Sequence, residues 1–252
     1  MWWTTFYDDL YADLALTGDD DTSRERMRHL SALVGADQPA RWFDQCCGVG
    51  RWSLALASLG HTVEGVDLMP NYIERAQQGA REAGTSRQCS FRQADALDAG
   101  PQALCDVAMN WHTSFGYFKD DARNVQMLRQ LWEALKPGGR MVLECGNASR
   151  TLSMFEPRIT RVQHIHGEEV VTERHCHLDL EAGMMVQRWV ISSGSQEPRE
   201  HDTSLKLYMP WQLKAMIESL GFEHVQLYSD ETGAALTLQS PRCLIVATKP
   251  RR

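Results

Sequence analysis

Residues 43–52 read FDQCCGVGRW, an apolar and acidic run that opens into a glycine-rich turn before a helix-forming stretch. A strand ending in such a turn is the usual entry to a parallel α/β sheet. Ligands sit beyond the carboxyl ends of those strands, and glycines let the backbone approach them closely. Gly48 and Gly50 suit that task. The adjacent Cys46 and Cys47 are not a site of their own. Neighbouring Cα atoms lie about 3.8 Å apart, short of the ~4.4–6.8 Å of ordinary disulfides, and Gln45, Val49 and the glycines complete no thiolate metal site. Cys46 is therefore expected beside a ligand held by the turn, with Cys47 packed inward.

Working outward, short apolar runs alternate with longer amphipathic ones, the pattern of a parallel sheet with crossover helices. RWFDQC is a strand, RWSLALASLG a helix closed by Gly60, and HTVEGVDL a second strand. PNYIERAQQGAREAG begins with proline and ends in glycine, the asymmetry of a helix. CSFRQADA and CDVAMNWH read as the third and fourth strands, DARNVQMLRQLWEALKPGG as an amphipathic helix stopped by Pro137-Gly138-Gly139, and RMVLECGN as the fifth strand. From about Arg158 to Tyr208 the period changes to two, with turns at HGEE and EAGM, which predicts an antiparallel insertion. PWQLKAMIESLGF returns to helix, and EHVQLYSD and RCLIVATK supply closing strands.

Composition narrows the function. A formal charge of −7 disfavours broad capture of nucleic acid, which needs clustered basic surface. No run approaches the length of a membrane span and MWWTTFYDDLYADL lacks an export signal's basic start and apolar core, so no membrane association and a cytoplasmic location are expected. Seven scattered cysteines fit reduced thiols. A small-molecule substrate is expected.

Polar residues close each successive strand: Asp67 the second, Asp95 in QADA the third, Asn110 the fourth. A carboxylate at Asp67 can accept both hydroxyls of a ribose, and Asp95 an adenine amino group. Asp residues in these places also cap helices, and the two roles can coexist. A nicotinamide enzyme would want G-x-G-x-x-G, which this window lacks.

In DQCCGVGRWSLALASLGHTVEGVDL, QADA, NWHTSFGYF and LKPGGRMVLE, over nearly its whole length, the chain resembles the class I S-adenosylmethionine-dependent methyltransferases. The resemblance implies a Rossmann-like α/β fold with a seven-stranded, mostly parallel sheet, helices on both faces, and S-adenosylmethionine as cofactor. It places Asp44, Cys46, Gly48 and Gly50 around the methionine end, Asp67 and Leu68 at the ribose, Asp95 and Ala96 at the adenine, and Asn110 at the junction of donor and acceptor. Cys46 stands where the family usually has glycine, similar to a subset carrying D-x-x-C-G-x-G-R.

Methyl transfer needs chiefly alignment and exclusion of water, with a base helpful for hydroxyl acceptors. NWHTSFGYF supplies candidates: His112 and Tyr117 as catalytic residues, Trp111 and Phe115 on the substrate. Some sugar N-methyltransferases look similar here with histidine at the position of Tyr117. Trp3, Phe6, Tyr7, Leu10, Tyr11 and Leu14 recur at helical spacing. In similar family members this helix closes over the site, which makes Tyr7 a catalytic and Tyr11 a substrate-binding candidate; Tyr208 is a further substrate contact. His164, His166, His175 and His177 form two H-x-H pairs, but nothing shows their faces converging, so a polar cap and no metal are expected.

The expected organisation is a helical lid (1–40), a cofactor-binding core (41–150), an antiparallel β cap (151–208) and a closing helix and strands (209–252), as monomer or homodimer. The expected function is methylation of a small molecule at nitrogen, in natural-product biosynthesis. The alternatives are a non-methylating enzyme that closes the aminobutyrate chain and releases methylthioadenosine, and a non-catalytic cofactor-binding protein.

Overall fold

The computed structural model describes residues 1–101, 103–194 and 197–251. Among them, seven strands form one sheet in the order β10-β11-β5-β4-β1-β2-β3. These are β1 (Arg41–Gln45), β2 (Thr62–Asp67), β3 (Cys89–Gln93), β4 (Cys105–Asn110), β5 (Leu135–Gly146), β10 (Glu223–Tyr228) and β11 (Arg242–Thr248). The first five pair in parallel, and β11 enters antiparallel between β5 and β10.

Alternation along the strands makes two cores. Trp42, Val107, Val142 and Leu244 face the cluster holding α3 (Asp20–Leu33), α4 (Arg51–Ser58) and α5 (Pro70–Glu82). Their chain neighbours Phe43, Ala108, Leu143 and Ile245 face the cluster holding α6 (Asp121–Ala134) and α8 (Pro210–Ser219). A sheet covered on both sides in this way forces its strands to be nearly continuously apolar, as the sequence shows. The strand order reverses direction at β1, so a crevice opens beyond the carboxyl ends of β1 and β4, where Gln45 pairs with Asn110.

The insertion is a second, antiparallel sheet in the order β6-β7-β8-β9, comprising Arg158–Ile165, Glu168–Asp179, Met184–Ser193 and Arg199–Lys206. His166 and Gly167 both take positive φ between β6 and β7, the backbone of a two-residue hairpin turn whose twist matches its strands. The short α7 (Ala148–Ser153) leads into this sheet.

Two local expectations change. The fifth strand starts at Leu135 rather than after the glycines: Leu135 already pairs with Cys105, and Gly138, at φ +83, absorbs a register shift while donating its N–H to Lys249 O at 2.9 Å. The N-terminal stripe is not a continuous helix: α1 (Trp3–Phe6) and α2 (Asp9–Tyr11) are separated at Tyr7–Asp8, and a π-helical turn follows over Ala12–Leu16. Asp8 causes the break, since its carboxylate accepts the Tyr11 amide at 2.8 Å and so starts a new helix. No helix among the described residues is long and apolar enough to cross a membrane.

Candidate active site

The crevice holds a cavity of about 490 Å³, within the usual range of small-molecule sites. Its floor is the ends of β1–β3, its roof the N-terminal segment and its far wall the cap sheet.

At the floor, Gly48 adopts φ +56 and donates its N–H to Asp67 Oδ2 at 2.9 Å, while Asp67 Oδ1 accepts the Met69 amide at the same distance. A carboxylate has about four acceptor positions, so Asp67 keeps capacity for two further donors. Burial raises its pKa, against the pull of these amides. Asp95, Leu68 and Ala96 line the cavity beside it, Asp95 Oδ1 accepting the Leu97 amide at 2.9 Å. Cys46 lines it too, in the left-handed region at φ +62 where glycine is the unstrained residue. Burial and the surrounding carboxylates of Asp67, Asp44 and Asp95 push its thiol well up, so it is no thiolate nucleophile. All seven cysteines are free.

Asp44, Gly50 and Asn110 do not line the cavity. Gly50 starts α4 at φ +82, and a Cβ there would lie 2.9 Å from that of Ala76, so this glycine serves helix packing. Asn110 is fully buried, its amide donating to Gln45 Oε1 at 3.0 Å, and its Oδ1 has no partner. Asp44 lies behind the turn and accepts from Ser53 Oγ at 2.6 Å. Burial lifts its carboxyl to about 7, with Asp67 adding repulsion.

That lift has a consequence for stability. Between pH ~4 and ~7 the folded protein keeps a proton on Asp44 that the unfolded chain has released, so this group's contribution falls as pH rises through that window. Asp44→Asn, which keeps an acceptor for Ser53, is expected to match the parent near pH 4 and to exceed it by ~4 kcal/mol at pH 8 in urea unfolding of the cofactor-free protein.

Above the floor, aromatic rings close the space. Tyr7 and Tyr117 stack at 6.2 Å between centroids and their hydroxyls hydrogen-bond each other; Tyr11 meets Tyr7 edge-on at 5.1 Å. Burial drives both paired phenols far up, so they remain protonated donors. The roof is fastened at several points: Tyr72 Oη donates to Asp8 O at 2.9 Å, Arg75 pairs with Asp13 at 2.6 Å, and Gln163 of the cap donates to Leu14 O at 3.2 Å.

His112 also lines the cavity, with φ +67; its N–H bonds Glu144 Oε2 at 2.8 Å. Neither ring nitrogen finds a partner among the described residues, and burial lowers its pKa, leaving a neutral imidazole at pH 7. Glu144 in turn is bound at both oxygens by Arg242.

The remaining candidates lie elsewhere. Trp111 is buried against Trp52 at 6.0 Å, outside the cavity. Phe115 and Tyr208 line a separate void of about 20 Å³, where Tyr208 donates to Asp121 at 2.6 Å. The histidine pairs do not meet. His164 pairs with Glu169, and His175 stands six residues farther along β7, about 20 Å away at strand rise. No cluster of three metal-binding side chains occurs among the described residues.

Sequence reasoning missed the far wall. Arg161 and Gln163 of β6, Arg174 of β7 and Gln187 and Trp189 of β8 all face the cavity. Period-two alternation alone could have grouped them on one face, without saying which face was inward.

The floor fits a cationic, ribose-bearing cofactor. Asp67 and Asp95 line it with no salt-bridge partner among the described residues, and a side chain at Gly48 would enter the space toward Leu16.

Comparison with known proteins agrees. Residues 43–139 match a family model described as a methyltransferase domain. The chain is 28% identical to a ubiquinone biosynthesis O-methyltransferase of Xanthomonas axonopodis pv. citri, over 77% of each protein. Its fold is similar to that of the CcbJ methyltransferase of Streptomyces caelestis, with a TM-score of 0.78 at 19% identity over 93% of each chain. It is also similar to CalS10, an amino pentose methyltransferase of Micromonospora echinaspora solved with S-adenosylmethionine bound, with a TM-score of 0.68 at 17% identity over 97% of this chain and 98% of that one. The chain thus carries a methyltransferase domain over residues 43–139, on a fold similar to that of S-adenosylmethionine-dependent methyltransferases.

Proposed function

We propose that this enzyme methylates a nitrogen atom of a small molecule, of the kind made in natural-product pathways. The observation that carries the reading is the Tyr7–Tyr117 hydroxyl pair inside an aromatic, roofed cavity. Two protonated phenols can orient an acceptor but are poor bases, which suits an amine that attacks through its own lone pair. Low-dielectric surroundings favour the neutral, nucleophilic form of that amine. The roof over the cavity suits a small acceptor.

In this reading Asp67 holds the ribose hydroxyls, Asp95 with Leu68 and Ala96 borders the adenine, and Cys46 and Gly48 border the methionine end, with Asn110 buried behind them. Bound there, S-adenosylmethionine supplies a methyl group on a cationic sulfonium. Tyr7, Tyr11 and Tyr117 enclose that end with ring faces that favour a cation. Two further proteins of similar fold, KedS8 of Streptoalloteichus and MtfA, are described as N-methyltransferases.

A hydroxyl acceptor is the second reading. The unpartnered, neutral His112 could take its proton, and the relative from Xanthomonas is named for O-methylation.

Incubating the enzyme with S-adenosylmethionine bearing a deuterated methyl group and a panel of amines and phenols separates the two. Label on amines supports nitrogen; label on phenols alone, lost in His112→Ala, supports oxygen. With an amine acceptor, Tyr117→Phe is expected to lower kcat by about tenfold or more while cofactor affinity stays within about twofold. An unchanged kcat would remove Tyr117 from the reaction.

A further inference from the structure

The cap sheet faces the cavity with polar and charged side chains set among apolar ones such as Met185, Trp189 and Leu205. On β6, Val162 points to solvent and is 55% exposed, while its neighbours Arg161 and Gln163 face the cavity. On β8, Val186 is 41% exposed while Gln187 faces inward. Charged and amide side chains gain nothing from facing inward unless something there binds them.

The two arginines are neighbours. Arg161 pairs with Thr172, and Arg174 lies two residues beyond Thr172 on the same face, so the side chains are diagonal partners across adjacent strands. Like charges so placed repel, yet neither guanidinium has a carboxylate partner among the described residues. Arg174 lies over the Trp189 ring at 4.9 Å. The nearby acids are engaged elsewhere: Asp13 with Arg75 and His166, Asp8 with Arg199, Glu173 with Arg158. Burial and the charge of Arg161 both act against the Arg174 cation. The cavity is thus polarised, with the carboxylates of Asp67 and Asp95 at its floor and two guanidiniums in its far wall, Arg161 exposed and Arg174 half-buried. Tyr11 and Tyr7 stand between them.

We propose that the acceptor carries an anionic group, a carboxylate or a phosphate, which Arg161 and Arg174 bind while the reacting atom meets the Tyr7–Tyr117 pair. The proposal rests on the methyl-transfer reading and names the chemical class of its substrate. Guanidiniums bind both anions through paired N–H donors, and an anion so anchored fixes the acceptor's orientation.

The test uses the full chain saturated with S-adenosylhomocysteine, titrated at fixed ionic strength with phenyl phosphate, benzoate and neutral benzyl alcohol. At least one anion is expected to bind about tenfold or more tightly than benzyl alcohol, and the stronger of the two identifies the group. In the R161Q/R174Q double variant this preference should vanish while S-adenosylhomocysteine affinity is unchanged. R174K, which keeps the charge without the planar fork, should retain part of it. Equal binding of all three probes, or a preference that survives in the double variant, would overturn the proposal. Failure of S-adenosylhomocysteine itself to bind would strike the cofactor reading instead, so the two failures are distinguishable.

Discussion

Asp67→Ala is expected to weaken S-adenosylmethionine binding by about 100-fold, measured by calorimetry. Two hydrogen bonds from ribose hydroxyls to a carboxylate contribute together about 3 kcal/mol, which converts to that factor. The same carboxylate accepts the Gly48 and Met69 amides, so its loss also loosens the turn that the cofactor meets. Asp67→Asn separates the two effects. Its single carbonyl oxygen can still hold the turn but cannot accept two hydroxyls, so affinity should fall while the melting temperature changes little. Unchanged affinity in Asp67→Ala would sink the ribose assignment.

Glu144→Ala is expected to lower folding stability by about 3–5 kcal/mol in urea unfolding at pH 7, the cost of breaking a buried ion pair from one side. Glu144 is 3% exposed and Arg242 29%, and no other acid pairs with Arg242 among the described residues. The substitution also strips the acceptor from the His112 amide, which Glu144 Oε2 holds at 2.8 Å. His112 and Thr113 both sit at positive φ, a backbone that persists only where its surroundings fix it. Loss of Glu144 should therefore disorder the loop that carries the imidazole into the cavity. Glu144→Gln, with one acceptor retained and the charge removed, should lose less. A change below about 1 kcal/mol for the alanine variant would show that Arg242 finds water instead.

The parts of this molecule that were legible in sequence are those governed by local rules. The turn at 46–50, the proline start of α5 and the polar strand ends Asp67 and Asp95 are short-range patterns, and the structure keeps each where it was expected. Features set by packing were not legible. Gly50 looked like a ligand-approach glycine, yet its lack of a side chain serves Ala76 and Phe91. Trp111 followed a strand end, yet it packs on Trp52 because its ring alternates to the helix-covered face. Tyr7 was placed on a helix, whereas the Asp8 cap breaks the chain there and lets the phenol reach Tyr117. The facing of the cap sheet was not legible either. Its strands alternate polar with apolar in the ordinary way, and only tertiary placement shows that Arg161 rather than Val162, and Gln187 rather than Val186, line the cavity.

The central claim is that one cavity seats the cofactor on the acidic floor and the acceptor between the tyrosine pair and the cap. A crystal structure of the complex with S-adenosylhomocysteine tests it most directly. The account predicts both ribose hydroxyls on Asp67, the adenine beside Asp95 and Ala96, and the sulfur facing Tyr7 and Tyr117, with the space before Arg161 and Arg174 left for an acceptor. A nucleoside seated against the cap arginines, with Asp67 untouched, would contradict it.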